Sequence, residues 1–230
     1  MSQSESIEVT VQEGYSLWAD IYDQGNALIA LEESHVEPLL ADLTGGRALD
    51  VGAGTGRYAL KLARRGFQVT AIDPNPEMLA VARRSAENER LGIEFLEADL
   101  LDGLPVDAGL FDLVVCALVL CHVPDLNGAA RDFHRALKSG SLLLITDFHP
   151  HTIATGMRTQ LPVLDGVTHQ LPNEPHTRET YLEAVKEAGF ELVEVLDLPT
   201  REAERERFSE GYWRKLADTN FCLIILARKP

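Results

Sequence analysis

Between residues 47 and 149 two hydrophobic rhythms alternate along the chain. Short runs of apolar and β-branched residues are separated by longer stretches in which apolar positions recur every third or fourth residue. The runs predict strands, the stretches predict helices, and the alternation predicts a parallel sheet covered by helices. Strands are expected at 47–51, 68–73, 93–97, 110–118 and 141–147, with helices at about 55–65, 77–90 and 127–138. The run 110–118 is almost wholly apolar, as suits a strand buried on both faces. Gly66 can take the left-handed cap of the first helix. Asn75 followed by Pro76 can cap and open the second.

Outside this region the rhythm changes. Tyr15, Trp18 and Tyr22 precede a helical stretch near 28–43, which predicts a helical cap over residues 1–45, packed across the edge or mouth of the sheet. Residues 149–175 are rich in Pro, Gly and Thr and are expected to form a loop or lid over the site. Helix 176–188, strand 190–198, a charged helix at about 201–217 and a last strand at 220–227 complete the pattern. In the charged helix, Phe208, Tyr212 and Trp213 face either the pocket or the sheet. The expected organisation is a single domain over 1–230, with its core at 46–148 and the C-terminal part of the sheet at 176–230.

Charge narrows the partners. The 230 residues carry 21 Lys and Arg against 36 Asp and Glu, a net charge of −15. An acidic surface argues against nucleic acid or anionic membrane as substrate and favours a small molecule. No apolar run approaches the ~20 residues that span a bilayer, and the polar, acidic N-terminus lacks the pattern of a secretory signal. Cys116, Cys121 and Cys222 lie in apolar stretches without CxxC spacing, so they are expected as buried thiols of a soluble cytoplasmic protein rather than metal ligands. His149-Pro150-His151 with His169 or His176 lacks the helical spacing of a metal site, and no bound metal is expected.

The chemistry concentrates in Leu49-Asp50-Val51-Gly52-Ala53-Gly54-Thr55-Gly56-Arg57, which reads as a strand, a tight turn and a helix start. Glycines let the backbone turn sharply and approach a ligand, and the helix start aims free N–H groups at it. A dinucleotide fingerprint would need a third glycine at position 57, where this chain has arginine. A polar turn bounded by acids suits S-adenosylmethionine (SAM) instead, whose amino-acid end carries an ammonium and whose sulfur is cationic. Asp50 is placed for the ammonium, directly or through water, and the helix N-terminus for the carboxylate. Asp73, at the end of the second strand, can accept both ribose hydroxyls. Asp99, at the end of the third, can accept from the adenine amino group.

Asp50-Val51-Gly52-Ala53-Gly54-Thr55-Gly56, Asp73, Ala98-Asp99-Leu100, Phe111-Asp112-Leu113-Val114 and Leu120-Cys121-His122-Val123 resemble, in order and spacing, the successive motifs of class I SAM-dependent methyltransferases. The nearest branch is the ubiquinone/menaquinone-biosynthesis-like (methyltransferase type 11) group, over about residues 45–150. The resemblance implies a Rossmann-like α/β fold: a mostly parallel seven-stranded sheet, helices on both faces and an antiparallel last strand. It implies SAM as cofactor, with S-adenosylhomocysteine as product, and adds Tyr22, Ala53, Gly56, Pro74, Met78, Leu100 and Ala117 to Asp50, Gly52, Gly54, Asp73 and Asp99 around it. Tyr22, in the Tyr22-Asp23 pair, would help close the cofactor site. One departure is Lys138-Ser139-Gly140-Ser141, where the group carries a Pro-Gly-Gly-like turn.

The implied activity is O-, C- or N-methylation of a small, apolar or aromatic acceptor. Such a reaction needs alignment of the reacting atoms and, for a hydroxyl or activated carbon, a base, which a histidine can supply near neutral pH. His122 and His149 follow strand ends on the expected cleft side and are the leading candidates; His151, His169 and His176 follow around the lid. Each also has a structural reading as a hydrogen-bonded or solvated residue. A SAM-binding protein without catalysis, acting as sensor or assembly partner, is the alternative outside enzymes. An NAD(P)-dependent oxidoreductase is disfavoured by Arg57.

Overall fold

The computed structural model of the chain describes residues 5–23, 27–161, 167–200, 205–206, 210–217 and 219–230. In chain order its elements are β1 (Glu5–Glu8), α1 (Val11–Trp18), α2 (Ala27–Leu39), β2 (Arg47–Val51), α3 (Arg57–Arg64), β3 (Gln68–Asp73), α4 (Pro76–Glu89), β4 (Ile93–Glu97), β5 (Phe111–Ala117), α5 (Leu126–Ala136), β6 (Leu137–Phe148), α6 (Pro150–Ala154), β7 (Thr159–Gln160), β8 (Val167–Leu171), α7 (Arg178–Glu187), β9 (Glu191–Pro199), α8 (Glu210–Leu216) and β10 (Asn220–Arg228).

Seven strands form one sheet in the order β4-β3-β2-β5-β6-β10-β9. The pairings from β4 through β6 are parallel, and β10 is antiparallel to both β6 and β9. This is the α/β architecture that the alternation of runs predicts. The chain leaves β2 to build β3 and β4 on one side, then returns to build β5 on the other. Ligands bind outside the carboxyl ends of strands at such a reversal. The apolar runs of β2 and β5 sit at the centre, where helices cover both faces. One core gathers Phe111, Phe133, Leu137 and Tyr181 under α5 and α7; the other gathers Leu28, Tyr58, Leu62 and Phe221 under α2 and α3.

Several boundaries differ from the sequence expectation for local reasons. Helix α3 begins at Arg57 because Gly56 still belongs to the turn, at φ +86. Helix α4 ends at Glu89 and is capped by Arg90, left-handed at φ +58, two residues before Gly92. Strand β6 begins at Leu137, so Lys138-Ser139-Gly140 runs within it, Gly140 bonding to Lys229 at the far end of β10. Of the charged helix expected at 201–217, residues 210–216 are helical; 201–204, 207–209 and the side chain of Tyr212 lie outside the described residues, and Trp213 is buried.

The segment 149–175 is not a plain loop. It contains α6, β7 and β8, and β8 pairs with β1 in parallel, Ile7 opposite His169, and with β7 antiparallel. The N-terminal region therefore contributes a strand as well as helices. Under this small sheet Trp18, Leu161 and Leu171 form a third apolar cluster with Tyr15 and Tyr22 against it. Gly14 of α1 packs so closely on β8 that a Cβ there would lie 2.7 Å from Leu171. Among the described residues no helix is long and apolar enough to cross a membrane.

Candidate functional site

The glycine turn is built by two different demands. Gly52 and Ala53 both donate their N–H groups to Ile72 O, at 2.8 and 2.9 Å, which ties the turn to the end of β3. Gly52 is left-handed at φ +68, and a Cβ there would collide with the Val119 side chain. Gly54, at φ +56, has nothing within 4 Å of the position a Cβ would take. Gly52 is required for packing, whereas Gly54 presents bare backbone to open space, the form of a ligand cradle.

That space is a cavity of about 350 Å³ at the carboxyl ends of β2, β3, β4 and β5. Of the residues expected to hold the cofactor, Tyr22, Gly52, Gly54, Asp73, Pro74, Met78, Asp99, Leu100 and Ala117 line it, and so does His122. Asp73 accepts from Gly54 N through Oδ2 and from Asn75 N through Oδ1, both at 2.8 Å. Each carboxylate oxygen retains a second acceptor site for a ligand hydroxyl. Burial raises its pKa to about 6, against the pull of the Asn75 and Gly54 N–H groups and with a push from Asp99. Asp99 caps Leu101 N through Oδ1 at 2.9 Å. The described lining includes these two acids but no Lys or Arg. That donor set fits SAM, whose ribose, adenine amino group and two cationic centres all seek acceptors or negative charge. Leu118, also in the lining, holds a left-handed φ of +61, a conformation that costs a non-glycine residue about 1–3 kcal/mol and persists where the surroundings impose it.

Asp50, Ala53, Gly56 and His149 lie outside this lining. Asp50 points beneath α3, where its Oδ2 accepts from Ala59 N at 2.8 Å, and burial raises its pKa to about 7. Gly56 closes on α4, with 2.9 Å between a Cβ there and that of Ala82. His149 caps α6 by accepting from His151 N on Nδ1 at 3.1 Å, so its Nε2–H donates to Asp197, at 3.0 Å. Arg178 holds the same Asp197 oxygen at 2.7 Å. Arg57, which replaces the dinucleotide glycine, turns its guanidinium toward α2. It meets Glu32 at 2.6 Å and Glu33 at 3.1 Å, while the Tyr58 and Thr146 hydroxyls donate to the other Glu32 oxygen.

The remaining wall comes from the N-terminal segment. Thr10, Val11, Gln12 and Tyr15 line the cavity. The α1 helix is capped by a Thr10–Glu13 box and tied down by Asn75, whose Nδ2 donates to Gln12 O at 3.1 Å and Ser16 Oγ at 2.9 Å. Tyr15 stacks on Trp18 and meets Tyr22 edge-on. Its hydroxyl reaches His122 Nε2 at 3.2 Å. The opposite ring nitrogen, Nδ1, donates to Pro172 O at 2.7 Å. The His122 turn is strapped by 172–176: Glu174 N donates to Cys121 O and His176 Nε2 to Val123 O. Behind it, buried Asp147 accepts from Cys121 N at 2.7 Å and from the Tyr181 hydroxyl at 2.9 Å. Sequence reasoning placed Tyr15 in an aromatic cluster but not in the site. Tyr15 and Trp18 share α1, whereas Tyr22 lies in the turn beyond it, so no helical spacing links all three.

Comparison with known proteins agrees with the fold. The methyltransferase-domain family profile matches residues 49–145, from β2 into β6. A ubiquinone biosynthesis O-methyltransferase of Xanthomonas oryzae pv. oryzae is 36% identical over 131 residues, covering 56% of this chain and 55% of that one. The chain thus spans about half the length of the first curated relatives it matches. A ubiquinone biosynthesis O-methyltransferase of Xanthomonas axonopodis pv. citri is 30% identical over 186 residues, 77% of each chain. The crystal structure of a SAM-dependent methyltransferase from Mesorhizobium loti superposes with a TM-score of 0.71 at 24% identity, over 89% of this chain and 100% of that one. The fold is that of an α/β protein with a mostly parallel sheet, and the cavity at its strand ends carries two acids and, in its described lining, no Lys or Arg. The chain belongs to the class I SAM-dependent methyltransferase family, in its ubiquinone-biosynthesis-like branch.

Proposed function

We propose that this protein transfers a methyl group from SAM to a small apolar or aromatic acceptor through an oxygen atom. The observation that carries the reading is the joining, in one cavity, of a cation-free, acid-bearing cofactor end and the Tyr15–His122 pair. When bound, SAM supplies a methyl carbon made electrophilic by its cationic sulfur. Asp73 and Asp99 would receive the hydroxyl and amino groups of the nucleoside, and Gly54 would let it approach the backbone. Tyr22, Met78, Pro74, Leu100 and Ala117 would enclose it. The apolar wall of Val11, Leu101, Val119 and Val123 suits an acceptor without charge, and holding the reacting atoms in line is worth about 7–11 kcal/mol in favourable cases. Burial lowers the pKa of His122, with the Pro172 carbonyl opposing, so its ring is neutral and available as a base at pH 7. The relatives named ubiquinone biosynthesis O-methyltransferase support oxygen as the receiving atom, while those named demethylmenaquinone methyltransferase specify no atom.

Transfer of labelled methyl from SAM to a panel of phenols, catechols, thiols and amines tests the proposal. Label is expected in the phenols, with inhibition by S-adenosylhomocysteine. Tight binding of S-adenosylhomocysteine without transfer to any small acceptor would favour a non-catalytic SAM-binding role.

A further inference from the structure

Both ring nitrogens of His122 are engaged by the protein itself. Nδ1 faces Pro172 O at 2.7 Å; a carbonyl only accepts, so Nδ1 carries the proton. Nε2 is then the lone-pair nitrogen, and the Tyr15 hydroxyl donates to it at 3.2 Å. A base whose lone pair already holds a hydroxyl proton has none to offer a second hydroxyl. Tyr15 is also firmly placed, because Gly14 beside it packs on Leu171 and Asn75 grips Gln12 and Ser16 on either side. Both residues line the cavity, and of the two the Tyr15 oxygen, donating its O–H to Nε2, keeps lone pairs free to accept from an acceptor hydroxyl.

Resting on the methyl-transfer reading above, we propose that Tyr15 is a catalytic residue that relays the acceptor's proton to His122. The acceptor hydroxyl donates to Tyr15 Oη. As the acceptor O–H bond breaks, a new O–H bond forms on Tyr15; the original Tyr15 O–H bond breaks, and its proton bonds to His122 Nε2. Tyr15 begins and ends as a neutral phenol. The net products are a deprotonated acceptor oxygen and an imidazolium, whose Nδ1–H bond to Pro172 O gains strength from the charge. The proton later leaves the imidazolium for water.

The surroundings keep both partners in the required states. Burial holds the Tyr15 hydroxyl well above the usual phenol range, and Tyr22, Cys121, Asp147 and Asp73 act in the same direction. Tyr22 lies on its own segment, Asp73 at the end of β3, Cys121 beside His122, and Asp147 in β6; His122 itself meets the hydroxyl at 3.2 Å. The described lining around Tyr15 holds no Lys or Arg that would make it an independent base. The proton therefore has His122 as its destination.

Two measurements test the relay with Tyr15→Phe, His122→Ala and the double variant. Nitrogen-15 NMR of the full chain bound to S-adenosylhomocysteine reads which His122 nitrogen carries the proton. Nδ1 is expected, with Nε2 bare, and Tyr15→Phe should raise the His122 pKa because a donor to the neutral ring is lost. A proton on Nε2 with a bare Nδ1 would overturn the relay, since His122 could not then receive from Tyr15. The second measurement is methyl transfer to 4-methoxyphenol, phenol and 4-nitrophenol. Tyr15→Phe should lower kcat on 4-methoxyphenol by about 10²–10⁴-fold. The double variant should lose no more than His122→Ala, because the residues act in series. The loss should shrink toward 4-nitrophenol, whose hydroxyl ionises readily. Full activity of Tyr15→Phe beside an impaired His122→Ala would mean that His122 acts directly. Additive losses, or losses independent of phenol acidity, would also end the proposal. Absence of transfer by the unaltered protein counts against the methyl-transfer reading, whereas the NMR result bears on the relay alone.

Discussion

Replacing Asp50 by Asn removes a charge from the interior but keeps the oxygen that α3 uses. Asp50 is 2% exposed, and its Oδ2 accepts from Ala59 N at 2.8 Å. Burial raises its pKa from 3.8 to about 7, against the help of that N–H and of Arg57. An acid that binds its proton more tightly when folded contributes stability that is fully present below the unfolded value. That contribution is lost as pH rises through the folded value, here over the window from 3.8 to about 7. At 1.36 kcal/mol per unit, a difference of roughly three units is on the order of 4 kcal/mol, of which roughly 3 kcal/mol develops between pH 5 and 8. Asn cannot ionise, and its side-chain oxygen can still accept from Ala59. The assay is urea unfolding of both ligand-free proteins at pH 5 and pH 8. Asp73 and Asp147, each raised to about 6, titrate in the same direction, so the quantity to read is the difference between the two proteins. That difference should shift by roughly 3 kcal/mol in favour of Asn at the higher pH. A difference that is the same at both pH values would refute the burial of this carboxylate. Affinity for S-adenosylhomocysteine should be unchanged, because Asp50 lies outside the cavity lining; a large loss would instead return its carboxylate to the ligand's ammonium.

Further substitutions probe separate parts of the account. Gly54→Ala forces a left-handed alanine at a cost of about 1–2 kcal/mol and puts a methyl into the cradle, so calorimetry should show weakened S-adenosylhomocysteine binding with the fold retained. Gly52→Ala adds a collision with Val119 to the same strain, and its thermal midpoint should fall further. Arg57→Met strands Glu32 in the interior and should cost about 3–5 kcal/mol in denaturant unfolding, much of it recovered when Glu32→Gln is added. His149→Gln should lose about 1 kcal/mol of stability with its helix cap while methyl transfer, assayed on phenols, stays intact.

The parts of the fold visible in the sequence are those set by local pattern. Strands β2, β3 and β4 fall where their apolar runs place them, since each is bounded by a turn residue or a helix start. The small sheet was not legible, because β7 has two residues and β1 pairs with a strand far along the chain, so neither carries a local period. Within the site, Asp73 and Asp99 could be read from their positions at strand ends. The outcome for Asp50 turned on a side-chain direction: from the strand it can face the ligand or the following helix, and it meets Ala59. His149 had the same ambiguity, and Asp197, a partner distant in sequence, claims it. Tyr15 reaches the cavity through the packing of α1 on β8 and Asn75, which no spacing within 11–18 reveals.

A thermal melt of the chain with S-adenosylhomocysteine, NADH and buffer in parallel distinguishes a SAM site from a dinucleotide site. Ligand at 100 times its dissociation constant adds roughly 2.7 kcal/mol, which for a chain of this size raises the midpoint by about 5–11 °C. That rise is expected with S-adenosylhomocysteine and none with NADH. A rise with NADH alone, or with neither, would contradict the SAM site.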